Sequence, residues 1–180
     1  GDTFSVETAI EDGARRVDAE FRSRPATRAA HLTALGKIYR GLGEFQQAEP
    51  LLTEALALYE QAYGPEDAHV GHALEQVGWL RFDQGRFEEA ERVFRRAYEL
   101  HVTAIGPDDP DTAFAANHLG MALRKLGRLE EAEKLHREAL AVLQRHSSLE
   151  TPRVTNNLAS VLFEAGKAEE AESVLQETIA

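Results

Sequence analysis

The 180 residues contain no cysteine, which removes disulfides and thiolate metal sites and is compatible with a reducing compartment, so the cytoplasm is the expected location. No apolar run approaches the roughly 18 residues of a membrane-spanning helix, and no signal-peptide pattern opens the chain. Linker-like tracts rich in Ser/Gly or Pro are missing. Positive charge is scarce: 20 Lys and Arg face 31 Asp and Glu, a formal net charge of −11. Nucleic-acid binding needs a basic footprint, and adsorption to an anionic membrane needs one too, so both are excluded as expectations. The signatures of catalysis are absent: no His-Glu-x-x-His, no Gly-rich phosphate loop, no His-Arg-Asp or Asp-Phe-Gly, and no strand–turn–helix elbow to present a nucleophile. Gly41-Leu42-Gly43 is half of a nucleotide fingerprint, but it falls at a helix end with no strand before it.

What the chain does have is a period. Gly43-Glu44-Phe45-Gln46-Gln47-Ala48 returns as Gly85-Arg86-Phe87-Glu88-Glu89-Ala90, Gly127-Arg128-Leu129-Glu130-Glu131-Ala132 and Gly166-Lys167-Ala168-Glu169-Glu170-Ala171, in steps of 42, 42 and 39 residues. A fixed period of this size marks a repeat array, in which each unit buries its apolar face only against its neighbours. Within a unit the pattern is that of two amphipathic helices. Phe87, Ala90, Val93, Phe94, Ala97, Tyr98, His101 and Ile105 follow the i, i+3, i+4, i+7 spacing of one helix face. Gly43, Gly85, Gly127 and Gly166 sit just past the first helix, where a left-handed residue closes it at least cost. Asp109-Pro110 restarts a helix, with Asp as cap and Pro in the first turn. The third unit ends differently, in Arg145-His146-Ser147-Ser148. There either Ser147 and Glu150 form a capping box or Thr151 caps and Pro152 begins the helix.

These signals predict a single array over residues 1–180, with four helix pairs A and B at 26–62, 67–104, 109–145 and 150–180. An unpaired B-type helix is predicted at 5–23, where Ala9, Ile10, Gly13, Ala14, Val17 and Phe21 align with the B helix one period later. Starting at Gly1 rather than Met, the chain reads as an excised fragment with both ends cut. Small residues recur in phase: Gly36, Gly78, Gly120 and Ala159 on helix A, and Ala48, Ala90, Ala132 and Ala171 on helix B, with Ala55, Ala97 and Ala139. A mid-helix Gly costs up to about 1 kcal/mol relative to Ala, so its recurrence implies close approach of A to B. Large residues fill the next layer, Leu35, Val77, Leu119 and Leu158 on A and Leu52, Phe94 and Leu175 on B, with His136 breaking the last column.

This alternation of large and small residues resembles the tetratricopeptide repeat, and the resemblance spans essentially the whole chain. The 42-residue period, the Gly-Pro-Asp-Asp-Pro-Asp-Thr segment at 106–112 and Asn117, Asn156 and Asn157 are similar to the long-repeat subclass of kinesin light chains. Ile10-Glu11-Asp12-Gly13-Ala14-Arg15-Arg16-Val17, Arg24-Pro25, Leu35-Gly36-Lys37-Ile38-Tyr39 and Leu42-Gly43 resemble the repeat regions that follow serine/threonine kinase domains in large bacterial proteins. The resemblance implies an all-α, right-handed α-solenoid of helix-turn-helix repeats, a non-catalytic scaffold that binds a protein or peptide segment in a concave groove lined by A helices.

Carried over position by position, the groove comprises Lys37 and Arg40 in unit one and Gln76, Trp79 and Phe82 in unit two. Unit three supplies Phe114, Asn117, Met121, Arg124 and Lys125, and unit four supplies Arg153, Asn156, Asn157 and Phe163. Trp79, Phe82, Phe114, Met121 and Phe163 form an apolar strip in this reading, and Asn117, Asn156 and Asn157 offer amides to an extended peptide or to one another. Lys37, Arg40, Arg124, Lys125 and Arg153 against Glu75, Asp83 and Glu164 sum to +2, which favours acidic segments, with scattered solvated charge as the equal alternative. The two-carboxylate clamp for chaperone tails is not matched, because Thr33, Lys37, Gln76, Phe114 and His118 occupy its places. His69 and His72, with Glu75 or Glu66, lack a third fixed ligand, so no metal or cofactor is expected. The alternative to groove binding is self-association through the ends, where Val174, Leu175 and Ile179 have no following helix to cover them.

Overall fold

In a computed structural model the protein is described at Phe21 and over residues 23–179. Among these residues there are helices and no strands. The helices are α1 (Pro25–Gly41), α2 (Phe45–Tyr63), α3 (Ala68–Asp83), α4 (Phe87–Ala104), α5 (Pro110–Lys125), α6 (Leu129–Arg145), α7 (Thr151–Glu164) and α8 (Ala168–Ile179). Odd-numbered helices are the A helices of the repeat and even-numbered ones the B helices. The B-type helix predicted at 5–23 lies outside the described residues except for its last positions.

The A-to-B turns repeat one hydrogen-bond pattern. Gly43, Gly85, Gly127 and Gly166 take positive φ of 80°, 75°, 74° and 78°. The next amide then closes a six-residue loop: Glu44 N–H to the Tyr39 carbonyl, Arg86 to Arg81, Arg128 to Leu123 and Lys167 to Leu162. The end of α6 makes the same closure without glycine. Ser147 adopts φ 50°, and Ser148 N–H donates to the Leu143 carbonyl at 3.0 Å. Neither of the two caps considered for α7 forms: Glu150 is the N-cap without a side-chain cap bond, and Pro152 falls in the first turn. Thr151 Oγ1 instead donates back to the Ser148 carbonyl at 2.7 Å. The cap expected of α5 is present, with Asp109 Oδ1 accepting from Asp111 N–H at 2.8 Å.

The glycine column brings each A helix close to its B partner. A Cβ built on Gly36 would lie 2.6 Å from Leu52 Cδ2, on Gly78 2.5 Å from Phe94 Cε1, and on Gly120 2.8 Å from His136 Cε1. Each glycine therefore receives the large side chain of the following helix, and this contact outweighs the helix-propensity cost. His136 fills the place of Leu52 and Phe94 and is fully buried. Each helix pair then packs its B helix on the next A helix, so the core is a continuous file of apolar clusters along the array. No described helix is long and apolar enough to cross a membrane.

Candidate binding groove

The backbones of successive A helices approach one another closely, whereas successive B helices stand farther apart and meet through long side-chain ion pairs, Arg96 with Glu60 at 3.0 Å and Arg137 with Glu170 at 2.8 Å. An array whose A helices converge curves toward them, so α1, α3, α5 and α7 line the concave face. At its centre is a cavity of about 500 Å³ bounded by Lys37 and Arg40 of α1, His72, Glu75, Gln76, Trp79 and Asp83 of α3, Asp111, Phe114 and His118 of α5, and Arg153 of α7. Trp79 forms part of its apolar wall. Its ring meets Phe82, Phe94 and His118 edge-on at 5.4, 5.4 and 4.9 Å, and the Arg40 guanidinium lies 6.0 Å from its centroid. Phe114 is half-buried beneath Arg153, whose guanidinium carbon stands 5.8 Å from the ring centroid.

The predicted strip divides into two clefts. Arg124, Asn156 and Phe163 border a second cavity of about 540 Å³ with Ala171 and Leu175, toward the α8 end. Of the two roles open to Asn117, the structure shows the bond to another asparagine. Asn117 is fully buried, accepts a 2.9 Å bond from Asn157 Nδ2, and has its own Nδ2 3.9 Å from Met121 Sδ. Its amide therefore ties α5 to α7 and, being fully buried, is closed to a peptide. Of the three asparagines only Asn156 is exposed; Asn157 and Met121 are half-buried.

The central cavity is also not basic. Three cations, Lys37, Arg40 and Arg153, meet three carboxylates, Glu75, Asp83 and Asp111. The sequence count of +2 covered the whole groove: Arg124, Lys125 and Glu164 lie outside this cavity, and Asp111, which was not counted, reaches it from the first turn of α5. Arg40 Nε lies 3.2 Å from Asp83 Oδ2, Arg124 3.7 Å from Glu164, and Arg153 2.8 Å from Glu150. Lys37 and Lys125 are exposed and have no ion-pair partner among the described residues. Burial lowers the Arg40 pKa against the opposing pull of Asp83, and burial raises that of Asp83 against Arg40.

Glu75 is the most perturbed group in the cavity. Burial favours its neutral form, but hydrogen bonds from His118 and His72 and the charges of His118 and His101 outweigh burial and hold its pKa at about 2. His118 Nδ1 donates to Glu75 Oε1 at 3.0 Å. His72 lies between two carboxylates, with Nδ1 3.5 Å from Glu75 Oε2 and Nε2 3.5 Å from Asp111 Oδ2. The hydrogen bond to Glu75 raises the His72 pKa, burial opposing it. Behind His72 stands His101 of α4, fully buried, with neither ring nitrogen hydrogen-bonded. Sequence reasoning placed His101 on an apolar helix face and went no further. The missed signal was its column, which holds Tyr59 one period earlier and Leu143 one period later. His69, the other histidine considered, faces away from this group. It pairs with Asp67 at 2.7 Å and stacks on Tyr63 at 4.2 Å.

The arrangement offers an aromatic platform, balanced charge and no nucleophile–base pair. It suits recognition of a segment with an apolar anchor and polar flanks. The family model of the tetratricopeptide repeat matches residues 27–101, 81–145 and 111–180. No curated protein matches the chain by sequence. Among solved structures, BtubC (BKLC) from P. vanneervenii aligns with a TM-score of 0.76 and 23% identity over 94% of this chain and 68% of that one. A putative kinesin light chain of Podosopora anserina with nearly identical TPR-like repeats aligns with a TM-score of 0.78 and 18% identity, over 96% of this chain and 84% of that one. The apo form of RapI aligns with a TM-score of 0.83 and 13% identity, over 97% of this chain and 63% of that one.

Proposed function

We propose that this chain, which belongs to the tetratricopeptide repeat family, is a non-catalytic scaffold that holds a protein or peptide segment in the concave cleft between units one and three. The observation that carries this reading is the half-buried Trp79, set in the wall of a 500 Å³ cavity beside Phe114 and three cations. A buried core tryptophan would face away from the groove. One with a free flank beside polar groups is the usual anchor of a protein interface. The anchor of the partner segment is apolar or aromatic. Exposed Lys37 and Lys125 add a preference for acidic flanks, weakened by the carboxylates that neutralise the cavity. The likeness of the opening residues to repeat regions behind bacterial kinase domains makes a cytoplasmic, kinase-linked docking region the parent we favour.

Trp79 is the only tryptophan, so its fluorescence reports on the groove alone. Peptides selected from a random display library against the chain are expected to shift Trp79 emission as they bind. A Lys37→Ala, Arg153→Ala double variant, altered only at the cavity rim, is expected to weaken them while circular dichroism stays unchanged. Peptides that bind with no change in emission, and equally well to the double variant, place recognition elsewhere.

A second reading, self-association, is favoured by the α8 end. Phe163 is 70% exposed and Leu175 36% exposed around the second cavity, which has the apolar lining a packed helix would cover. Light scattering across a dilution series separates the two readings: a species of constant mass excludes self-association as the function.

A further inference from the structure

Beyond the peptide-binding reading, one cluster at the wall of the same cavity has the composition of a metal site. Ligand atoms of His72, Glu75 and His101, one from each side chain, lie within 4.8 Å of one another. We propose that these three residues bind a divalent transition-metal ion, zinc foremost, between α3 and α4 of unit two.

Three observations support the assignment. His101 is a fully buried imidazole with both nitrogens unpartnered, in a column that is otherwise Tyr59 and Leu143. Leaving such a group unpaired is destabilising, and a metal bond to one nitrogen removes part of that cost. His101 also has a dedicated space. A Cβ built on Gly71 would lie 2.6 Å from His101 Nε2, and units one and three carry Ala29 and Ala113 at that register. Finally, the groups that orient ligands in metal sites are already present. With the metal on His72 Nδ1, the other ring nitrogen, Nε2, lies 3.5 Å from Asp111 Oδ2, on the side where ligating histidines typically have a carboxylate partner. The Glu75 oxygen not used for the ion is held by His118 Nδ1 at 3.0 Å.

His136 shows why the unpaired imidazole is insufficient by itself. It too is buried and unpartnered and packs against a glycine, but no set of three ligand groups forms around it among the described residues. His101 differs in facing the His72–Glu75 pair, with the rings of His72 and His101 centred 4.7 Å apart. Two imidazoles and one carboxylate, with no thiolate, suit zinc among common divalent ions. Bonds of about 2.0–2.2 Å require the three ligand atoms to close in by about 1.5 Å. Rotation of the half-exposed His72 side chain supplies this movement. His72 and Glu75 line the central cavity, so water reaches the fourth coordination position from the groove.

The test is titration of the EDTA-stripped chain with zinc chloride by calorimetry and with cobalt chloride by visible absorption. One ion per chain, a tetrahedral cobalt spectrum and a zinc-dependent rise in melting temperature are expected. His72→Ala, at an accessible side chain, and His101→Leu, which matches the apolar residue of unit three, are each expected to abolish all three signals. His69→Ala, at the histidine paired with the Asp67 carboxylate, and His146→Ala, at a histidine bonded to the Asp108 carbonyl, are expected to leave them intact. Absence of binding, or binding that survives both His72→Ala and His101→Leu, overturns the site. So does loss of binding in His69→Ala. If His101→Leu fails to fold by circular dichroism, His72→Ala decides alone.

Discussion

One column of the repeat behaves differently inside the array and at its last described helix. Leu52, Phe94 and His136 are the large side chains that fill the glycine gap of their units, and all are 1% exposed or less; Leu175, at the same register in α8, is 36% exposed. Phe82 and Phe163 form a second such pair. The former packs edge-on against Trp79 and Phe87 at 5.4 and 5.3 Å, whereas the latter is 70% exposed. For the column the difference lies in the neighbouring helix, since an interior unit is covered by the next A helix and α8 has none among the described residues; around Phe163, Ser160 and Ala168 also stand where Trp79 and Phe87 flank Phe82. Burial in a solenoid is thus a property of the neighbour as much as of the residue.

The largest test of that contrast is truncation within the column. Phe94→Ala removes a fully buried ring from between α3, α4 and α5 and is expected to cost about 3–5 kcal/mol. Leu175→Ala removes a side chain already partly in water and is expected to cost less than about 2 kcal/mol. Urea unfolding monitored by circular dichroism compares them. Equal midpoint shifts would mean that α8 is as well covered as α4, and the contrast fails.

The next effect comes from His136, the polar member of the column. Burial, and secondarily the charge of Arg124, lowers its pKa from 6.5 to about 4. Its stabilising neutral form is therefore fully present above pH 6.5. As pH falls toward 4 the unfolded chain takes up a proton that the folded chain refuses, and about 3 kcal/mol is lost. His101 is lowered in the same direction, chiefly by burial, so the wild-type curve carries both groups. The difference between wild type and His136→Leu isolates one of them. Parallel melting-temperature profiles between pH 7 and pH 4.5 would show that His136 is not buried in its neutral form.

A smaller effect is expected on the facing helix. Gly78→Ala places a methyl group 2.5 Å from the Phe94 ring, an overpacking of about 1–3 kcal/mol from which up to about 1 kcal/mol of helix propensity is recovered. At the equivalent position of unit four the side chain is already present. Ala159→Gly is expected to cost about 1 kcal/mol. Stabilisation by Gly78→Ala would mean that the close approach of α3 to α4 is not what selects glycine there.

Most of the fold was legible because its causes are local. Gly43, Gly85, Gly127 and Gly166 mark helix ends wherever φ must be positive, and the glycine column marks where A meets B. Ser147 was not legible as a left-handed residue, since its conformation is set by the Ser148-to-Leu143 closure rather than by its own preference. The groove was legible only as a face. Period and resemblance place Trp79, Phe114 and Arg153 on one side, but whether a side chain on that side is free depends on contacts between helices some 40 residues apart, such as Asn157 with Asn117. The pairing of His101 with His72 lay beyond sequence reading for the same reason. They belong to different helices and different periodic columns, and only the A–B packing at Gly71 brings them together.

The smallest effect on stability tests the end of the array most directly. Phe163→Ser removes a ring that is mostly in water, so its effect on unfolding is expected within about 0.5 kcal/mol. Phe82→Ser removes a ring wedged between Trp79 and Phe87 and leaves a hydroxyl among apolar neighbours, so its unfolding midpoint drops measurably. Association reverses that order. If the cleft of Phe163, Ala171 and Leu175 takes a helix of a second copy, Phe163→Ser lowers the average mass seen by light scattering at high concentration, whereas Phe82→Ser does not. A residue that barely contributes to folding yet controls assembly has its partner outside its own chain. If Phe163→Ser leaves the mass unchanged while wild type still associates, the contact lies on another surface, and the exposure of Phe163 reflects only what its own unit lacks beside it, with Ser160 and Ala168 where Trp79 and Phe87 flank Phe82.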